Sequence, residues 1–155
     1  KITEEIFNKV KKLNENLQEV KPGYFLSYAD IDTTNDIIAI ASDEILRVEG
    51  RKAAFVVGKL QGTNKYKLSA RGVDTNVQII AEAVNGGGHF GAAAAESDEP
   101  LEVFIDNIKQ AIVSVQNESN NQNLLTLILE LNQLVADKRS VINISDEDLN
   151  NITLN

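Results

Sequence analysis

Gly86-Gly87-Gly88-His89, a glycine triplet followed by a histidine, is the stretch of this sequence whose residue types can do chemistry. Adjacent glycines are costly to order, because each loses more backbone freedom on folding than any other residue. A fold tolerates them where the chain needs left-handed angles, or where backbone N–H groups must approach something closely. Phosphate is such a partner: successive amides form a concave donor site, and a helix N-terminus adds a favourable partial charge. His89 stands where a helix through Ala92–Ala95 is expected to begin. The pattern alone leaves a second reading equally open, a tight turn between packed elements with His89 a structural residue. Ser69 and Arg71 close the preceding alternating segment, and Asn76 opens the next helix. If these ends meet at one sheet edge, Ser69, Arg71, Asn76 and His89 converge around an anion. Arginine offers a planar fork of donors to phosphate oxygens. Serine and asparagine add neutral hydrogen bonds, and histidine is a donor in either protonation state.

Composition narrows what such a site can serve. The chain has 155 residues, enough for one domain with a real core. Hydrophobic residues make up 43% and charged residues 25%, the balance of a globular protein rather than a disordered one. Fifteen Lys and Arg against 23 Asp and Glu give a formal charge of -8. That is a poor basis for coating a nucleic-acid backbone, where affinity depends on pooled positive charge, although a local basic pocket remains open. The absence of cysteine excludes disulfides, thiolate nucleophiles and zinc–thiolate sites. A single histidine excludes a multi-histidine metal site within one chain. Asp30, Asp32 and Asp36 resemble a carboxylate cluster, but their place before an apolar-periodic segment reads as helix start and exposed surface. No apolar run approaches the roughly 18 to 20 residues that cross a bilayer. The sequence starts at Lys1 in a helical pattern, and a piece of a longer polypeptide is expected.

The elements that must position these residues follow from periodicity. Ile2, Ile6, Val10, Leu13, Leu17 and Val20 predict an amphipathic helix of about five turns ending near Pro22-Gly23. A short strand, Tyr24–Tyr28, follows, and Asp30–Thr34 caps a helix carrying Ile37, Ala41, Ile45 and Val48. Lys52–Gly58 reads as a buried strand with no polar face. A turn at Gln61–Asn64 joins it, as a hairpin, to Lys65–Ala70. Val77–Ala83 is a helix with Val77, Ile80, Ala81 and Val84 inward, and Leu101, Phe104, Ile108, Ile112 and Val115 mark another. Glu118–Asn123 is a polar hinge, Leu124–Val135 one more helix, and Val141–Ile144 a short strand. The expected fold is α/β, a mixed β-sheet of four to five strands flanked by helices. Residues 1–117 form the main domain, and residues 118–155 a helical extension whose apolar face makes a second copy of the chain a candidate partner.

Ser69-Ala70-Arg71, Asn76-Val77, Gly86-Gly87-Gly88-His89 and Ala92-Ala93 together closely resemble the DHHA1 domain, the C-terminal substrate-binding domain of the DHH phosphoesterases. Ile45–Gly50 and Ala53–Gly58 are similar to the subgroup that degrades cyclic di-AMP. The resemblance spans about residues 24 to 117, and residues 121–155 have no counterpart in it. Two departures stand out. Asn85 replaces a frequent fourth glycine, although asparagine also enters the left-handed region. Ala94 replaces a glycine and is expected to narrow or reshape the floor of the site.

The resemblance implies a division of labour. In such enzymes a separate N-terminal DHH domain carries Asp and His residues around two divalent metals, usually manganese, which activate water. This chain has no Asp-His-His triplet, so it is expected to contain no metal or catalytic residues and to be inactive alone. By residue match, Arg71 and His89 engage phosphate, with Ser69 and the Gly86, Gly87 and Gly88 backbone assisting, while Asn76 is a cap or a nucleotide contact. The implied partners are a cyclic dinucleotide or short oligonucleotide and the DHH domain of the parent chain, with no membrane contact by this segment. The implied location is cytoplasmic, in a parent of a membrane-tethered type. Oligoribonuclease and phosphoadenosine phosphatase relatives share the motif, and a noncatalytic nucleic-acid-binding or interaction domain is a third reading.

Overall fold

The computed structural model describes residues 2–142, with side chains described through Val115 and again over residues 123–138. Six strands form one mixed sheet in the order β1-β2-β3-β4-β6-β5, one or two more than the sequence predicts. The strands are β1 (Gln18–Lys21), β2 (Tyr24–Thr33), β3 (Ala53–Leu60), β4 (Tyr66–Gly72), β5 (Gly87–His89) and β6 (Ala92–Ser97). Only β2 and β3 run parallel, joined through helix α2 (Asn35–Ile45); every other pair is antiparallel. Of the strands the sequence does not predict, β1 and β5 are the two edges and β6 lies next to β5.

Helix α1 (Glu4–Leu13) is half the expected length. Thr3 caps it by accepting from the Ile6 N–H at 3.2 Å, with acidic residues in its first turn and lysines in its last. Its apolar spacing continues through Leu17 and Val20, yet the chain leaves the helix after Leu13 and Val20 enters a hairpin. β1 pairs with β2, Gln18 opposite Leu26 and Glu19 opposite Phe25, around a turn in which Gly23 has φ +84°. A three- or four-residue apolar step also fits two residues either side of a turn, and strand pairing decides between them. α2 starts where predicted: Thr34 accepts from the Ile37 N–H at 3.3 Å. Asp30–Thr33, expected to belong to that start, instead extend β2, and Val48 lies exposed beyond the helix.

β3 is the central strand, and Ala53–Val57 are fully buried on both faces. Phe55 and Val57 join one core with Leu68, Ile80, Phe104, Ile105, Ile108 and Ile112. Ala54 and Val56 join the other with Val10, Leu13, Ile38 and Ile45. Thus α1 and α2 cover one face of the sheet. Helix α3 (Gln78–Ala83) and the start of helix α4 (Leu101–Ile142) cover the other. Val77, Ile80, Ala81 and Val84 point inward as their spacing predicts.

Two expectations for the C-terminal part are overturned. The backbone of Glu118–Asn123 is helical within α4 rather than a hinge, since serine and asparagine lower helix propensity without forbidding it. Val141 and Ile142 are also helical rather than strand, and Asn143 and Ile144 lie outside the described residues. The chain divides into two compact units at the Val115–Gln116 boundary. In the second, Leu124, Leu125, Leu127, Ile128, Leu129, Leu131 and Leu134 are all exposed. No helix among the described residues is long and apolar enough to cross a membrane.

Candidate functional site

The alanine run is a strand, not the expected helix. β6 fits between β4 and β5, pairing with both, so the sheet overrides the high helix propensity of alanine. Its small side chains alternate: Ala93 and Ala95 are buried against α3 and α4, while Ala92 and Ala94 are half-exposed on the other face. His89 therefore ends an edge strand, followed by a two-residue turn at Phe90-Gly91.

This register brings predicted residues together. Ala92 lies opposite Arg71 on one side and His89 on the other, and Ala94 lies opposite Ser69 and Gly87. Directly opposed residues of an antiparallel pair project to the same face. Arg71, Ala92 and His89 thus form one row across the sheet, and Ser69, Ala94 and Gly87 form the next. Arg71 and His89 stand two strand spacings apart, ~10 Å at about 4.8 Å each. A Cβ added at Gly87 would meet nothing within 4 Å, so the space above this floor is open. The methyl of Ala94 lies in that row, opposite Ser69 and Gly87.

Helix α2 borders the shelf. Ser42 Oγ lies 3.1 Å from Ser69 Oγ, and Asp43 Oδ1 lies 3.6 Å from Arg71 Nε. Arg71 also donates from Nη1 to the Ala70 carbonyl at 3.2 Å. Ser69 is 5% exposed and tied to Ser42, so it fixes the helix to the sheet beneath the shelf rather than standing on it. One step further along β4, Lys67 lies opposite Glu96, with Nζ 3.7 Å from Oε2. A groove of about 880 Å³ between α1 and α2, lined by Phe7, Val10, Asn14 and Ile40, also reaches Asp43.

The remaining predicted residues have other placements. Gly86 closes α3: its N–H donates to the Ala81 carbonyl at 2.8 Å, after Asn85 has turned the chain at φ +66°. A Cβ at Gly86 would strike the Ala94 backbone, and one at Gly88 would strike Ala92 and Ala93, so both serve close packing of β5 on β6. As the sheet edge, β5 keeps one row of backbone groups unpaired by any strand. Asn76 is a helix cap: its Oδ1 accepts from the N–H of Gln78 at 3.0 Å and of Ile79 at 3.4 Å. Its helix packs into the opposite core, so the structure does not bring Asn76 into the row.

Sequence reasoning missed Ser42 and Asp43. Ser42 was findable as the one polar residue inside the apolar stripe of Ile37, Ile38, Ala41 and Ile45. Asp43 carried no such signal, because only the packing of α2 across β4 brings it to Arg71. Among the described residues no group of three or more His, Cys, Asp or Glu side chains could hold a metal ion.

With this geometry in place, comparison with known proteins identifies the domain. The family model of the DHHA1 domain matches residues 21–118. The chain belongs to the DHHA1 domain family. It is 34% identical over 117 residues to the cyclic-di-AMP phosphodiesterase GdpP of Geobacillus thermodenitrificans, covering 72% of this chain and 18% of that protein. It is 24% identical over 146 residues to a membrane protein–large ribosomal subunit bL9 fusion protein of Aster yellows witches'-broom phytoplasma, covering 90% of this chain and 17% of that one. The chain therefore spans under a fifth of these curated relatives. Its fold matches the crystal structure of an exopolyphosphatase-related protein from Bacteroides fragilis with a TM-score of 0.62 at 17% identity, covering 74% of this chain and 36% of that one. The DHHA1 domain here is thus related to phosphodiesterases of the DHH family.

Proposed function

We propose that this DHHA1 domain holds the substrate of a metal-dependent phosphodiesterase whose substrate is a cyclic dinucleotide, with bond cleavage performed by a DHH domain beyond these residues. The observation that carries the reading is the cross-strand row of Arg71, Ala92 and His89 on an open face. Likeness to GdpP supports cyclic di-AMP as the dinucleotide.

Arg71 and His89 bracket the phosphate from opposite ends of the row, and the methyls of Ala92 and Ala94 let it approach the sheet closely. The guanidinium supplies directional donors to the phosphate oxygens, and the imidazole adds a further donor from the edge strand. Holding the phosphate fixed turns attack on it into an oriented, effectively unimolecular step. A metal pair in the DHH domain would activate the attacking water; no residue described in this chain takes that part.

The test is an NMR titration of this chain with cyclic di-AMP. Resonances of Gly87, His89 and Arg71 should move, and Arg71→Ala or His89→Ala should weaken binding at least about tenfold, the scale of losing a charge-assisted hydrogen bond. With manganese present, the chain alone should release no pApA. Supplying the DHH domain should confer hydrolysis that either substitution lowers. Unchanged affinity in both variants, or efficient hydrolysis by this chain alone, would overturn the reading.

A further inference from the structure

We propose that Asp43 is a specificity-determining residue that makes the shelf select a singly charged phosphodiester over a doubly charged terminal phosphate. This rests on the phosphate-holding role of the shelf. The two cations that β4, β5 and β6 carry each have a carboxylate beside them: Lys67 with Glu96 at 3.7 Å and Arg71 with Asp43 at 3.6 Å. With the imidazole of His89 counted neutral, the strip sums to zero formal charge. A strip built to take a phosphate dianion would leave its arginine uncompensated.

The Arg71–Asp43 pair is loose. Its 3.6 Å separation exceeds the 2.7–2.9 Å range of a charge-assisted hydrogen bond, and the Asp43 side chain is 66% exposed. Such a pair contributes little to stability, so a ligand phosphate can take over the guanidinium at small cost. The carboxylate nonetheless stays within a few ångströms of any phosphate on Arg71. Its repulsion scales with the ligand's charge. A dianion therefore suffers twice the free-energy penalty of a monoanion, and the two affinities separate.

The test uses this chain and two probes, followed through the amide resonances of Gly87 and His89. Adenylyl-adenosine carries one phosphodiester charge; AMP at pH 8 carries two, because phosphate monoesters lose their second proton near pH 6. Asp43→Asn should tighten the dinucleotide roughly threefold and AMP roughly tenfold at low salt. Both gains should shrink at 0.5 M salt, where screening shortens the reach of the charge. Glu44→Gln removes a neighbouring carboxylate that pairs with Arg47 instead, and should leave the ratio of the two affinities unchanged. Equal tightening of both probes, or an equal effect of Glu44→Gln, would overturn charge selection while leaving phosphate binding in place. Weaker binding of both probes in Asp43→Asn would also overturn it, making Asp43 a positioning residue for Arg71. If neither probe moves Gly87 or His89 in the unsubstituted chain, the phosphate-holding role fails and the selection fails with it.

Discussion

The three adjacent glycines divide the work among themselves, and single substitutions should separate their roles. Gly88 has φ +147°, and an added Cβ would lie 2.6 Å from both the Ala92 carbonyl oxygen and the Ala93 Cα. Gly88→Ala should therefore destabilise the fold by about 1–3 kcal/mol, the usual cost of a side chain in a forbidden backbone region, read from chemical denaturation. Gly87→Ala meets nothing within 4 Å and should melt close to the unsubstituted chain. Its methyl would instead rise from the Ser69–Ala94–Gly87 row of the floor, so nucleotide titration should show weakened binding. Reversal of that pattern, with Gly87→Ala unfolding and Gly88→Ala harmless, would mean the register of β5 on β6 is wrong. Asn85 is the neighbouring case in which sequence reasoning was sufficient: its left-handed tolerance is used at φ +66°. The residues of the candidate site were legible as types, because arginine, histidine and glycine are the types that suit a phosphate. Their arrangement was not, since the row depends on which strands are neighbours.

At the level of elements, legibility followed the number of faces an element buries. β3 was readable because both faces are buried and no polar residue interrupts Ala53–Val57. Phe55→Ala should accordingly cost about 3–5 kcal/mol by denaturant titration, as removal of a fully buried aromatic leaves a cavity. Edges were less readable. β1 and β5 are short and half-exposed, so their composition carries a weak strand signal, and β6 hides beneath alanines that favour helix in isolation. β1 also contains the least expected buried group. Lys21 is 9% exposed, donates from Nζ to the Ile112 carbonyl at 2.6 Å, and lies over the Tyr24 ring. Burial, followed by repulsion from Lys52, pushes its ammonium below the usual lysine range of 10.5. In the alkaline range below 10.5 the unfolded chain then binds more protons than the folded one, so stability should rise with pH there. Lys21→Met removes the titrating group and should flatten that rise in denaturation curves measured across the same range. Equal slopes in the two proteins would count against a depressed lysine.

For the whole molecule, the salt dependence of binding would separate a dinucleotide site from a nucleic-acid track. The chain carries -8 overall, and the cations on the candidate shelf are each paired with a carboxylate. A protein that follows a nucleic-acid backbone gains affinity by releasing counterions, and with six to ten phosphate contacts it loses about 10³–10⁵ in affinity between 50 and 200 mM salt. A charge-balanced shelf taking one phosphate has few counterions to release, and the surrounding negative field repels a long polyanion. Binding of cyclic di-AMP should therefore change less than about tenfold over that salt interval. A twelve-nucleotide RNA should bind no more tightly than a dinucleotide, because its additional phosphates meet a chain of net charge -8. Both quantities come from one series of titrations. A steep salt slope together with affinity that climbs with RNA length would remove the dinucleotide reading, and would place the cations that matter outside the Arg71–His89 row.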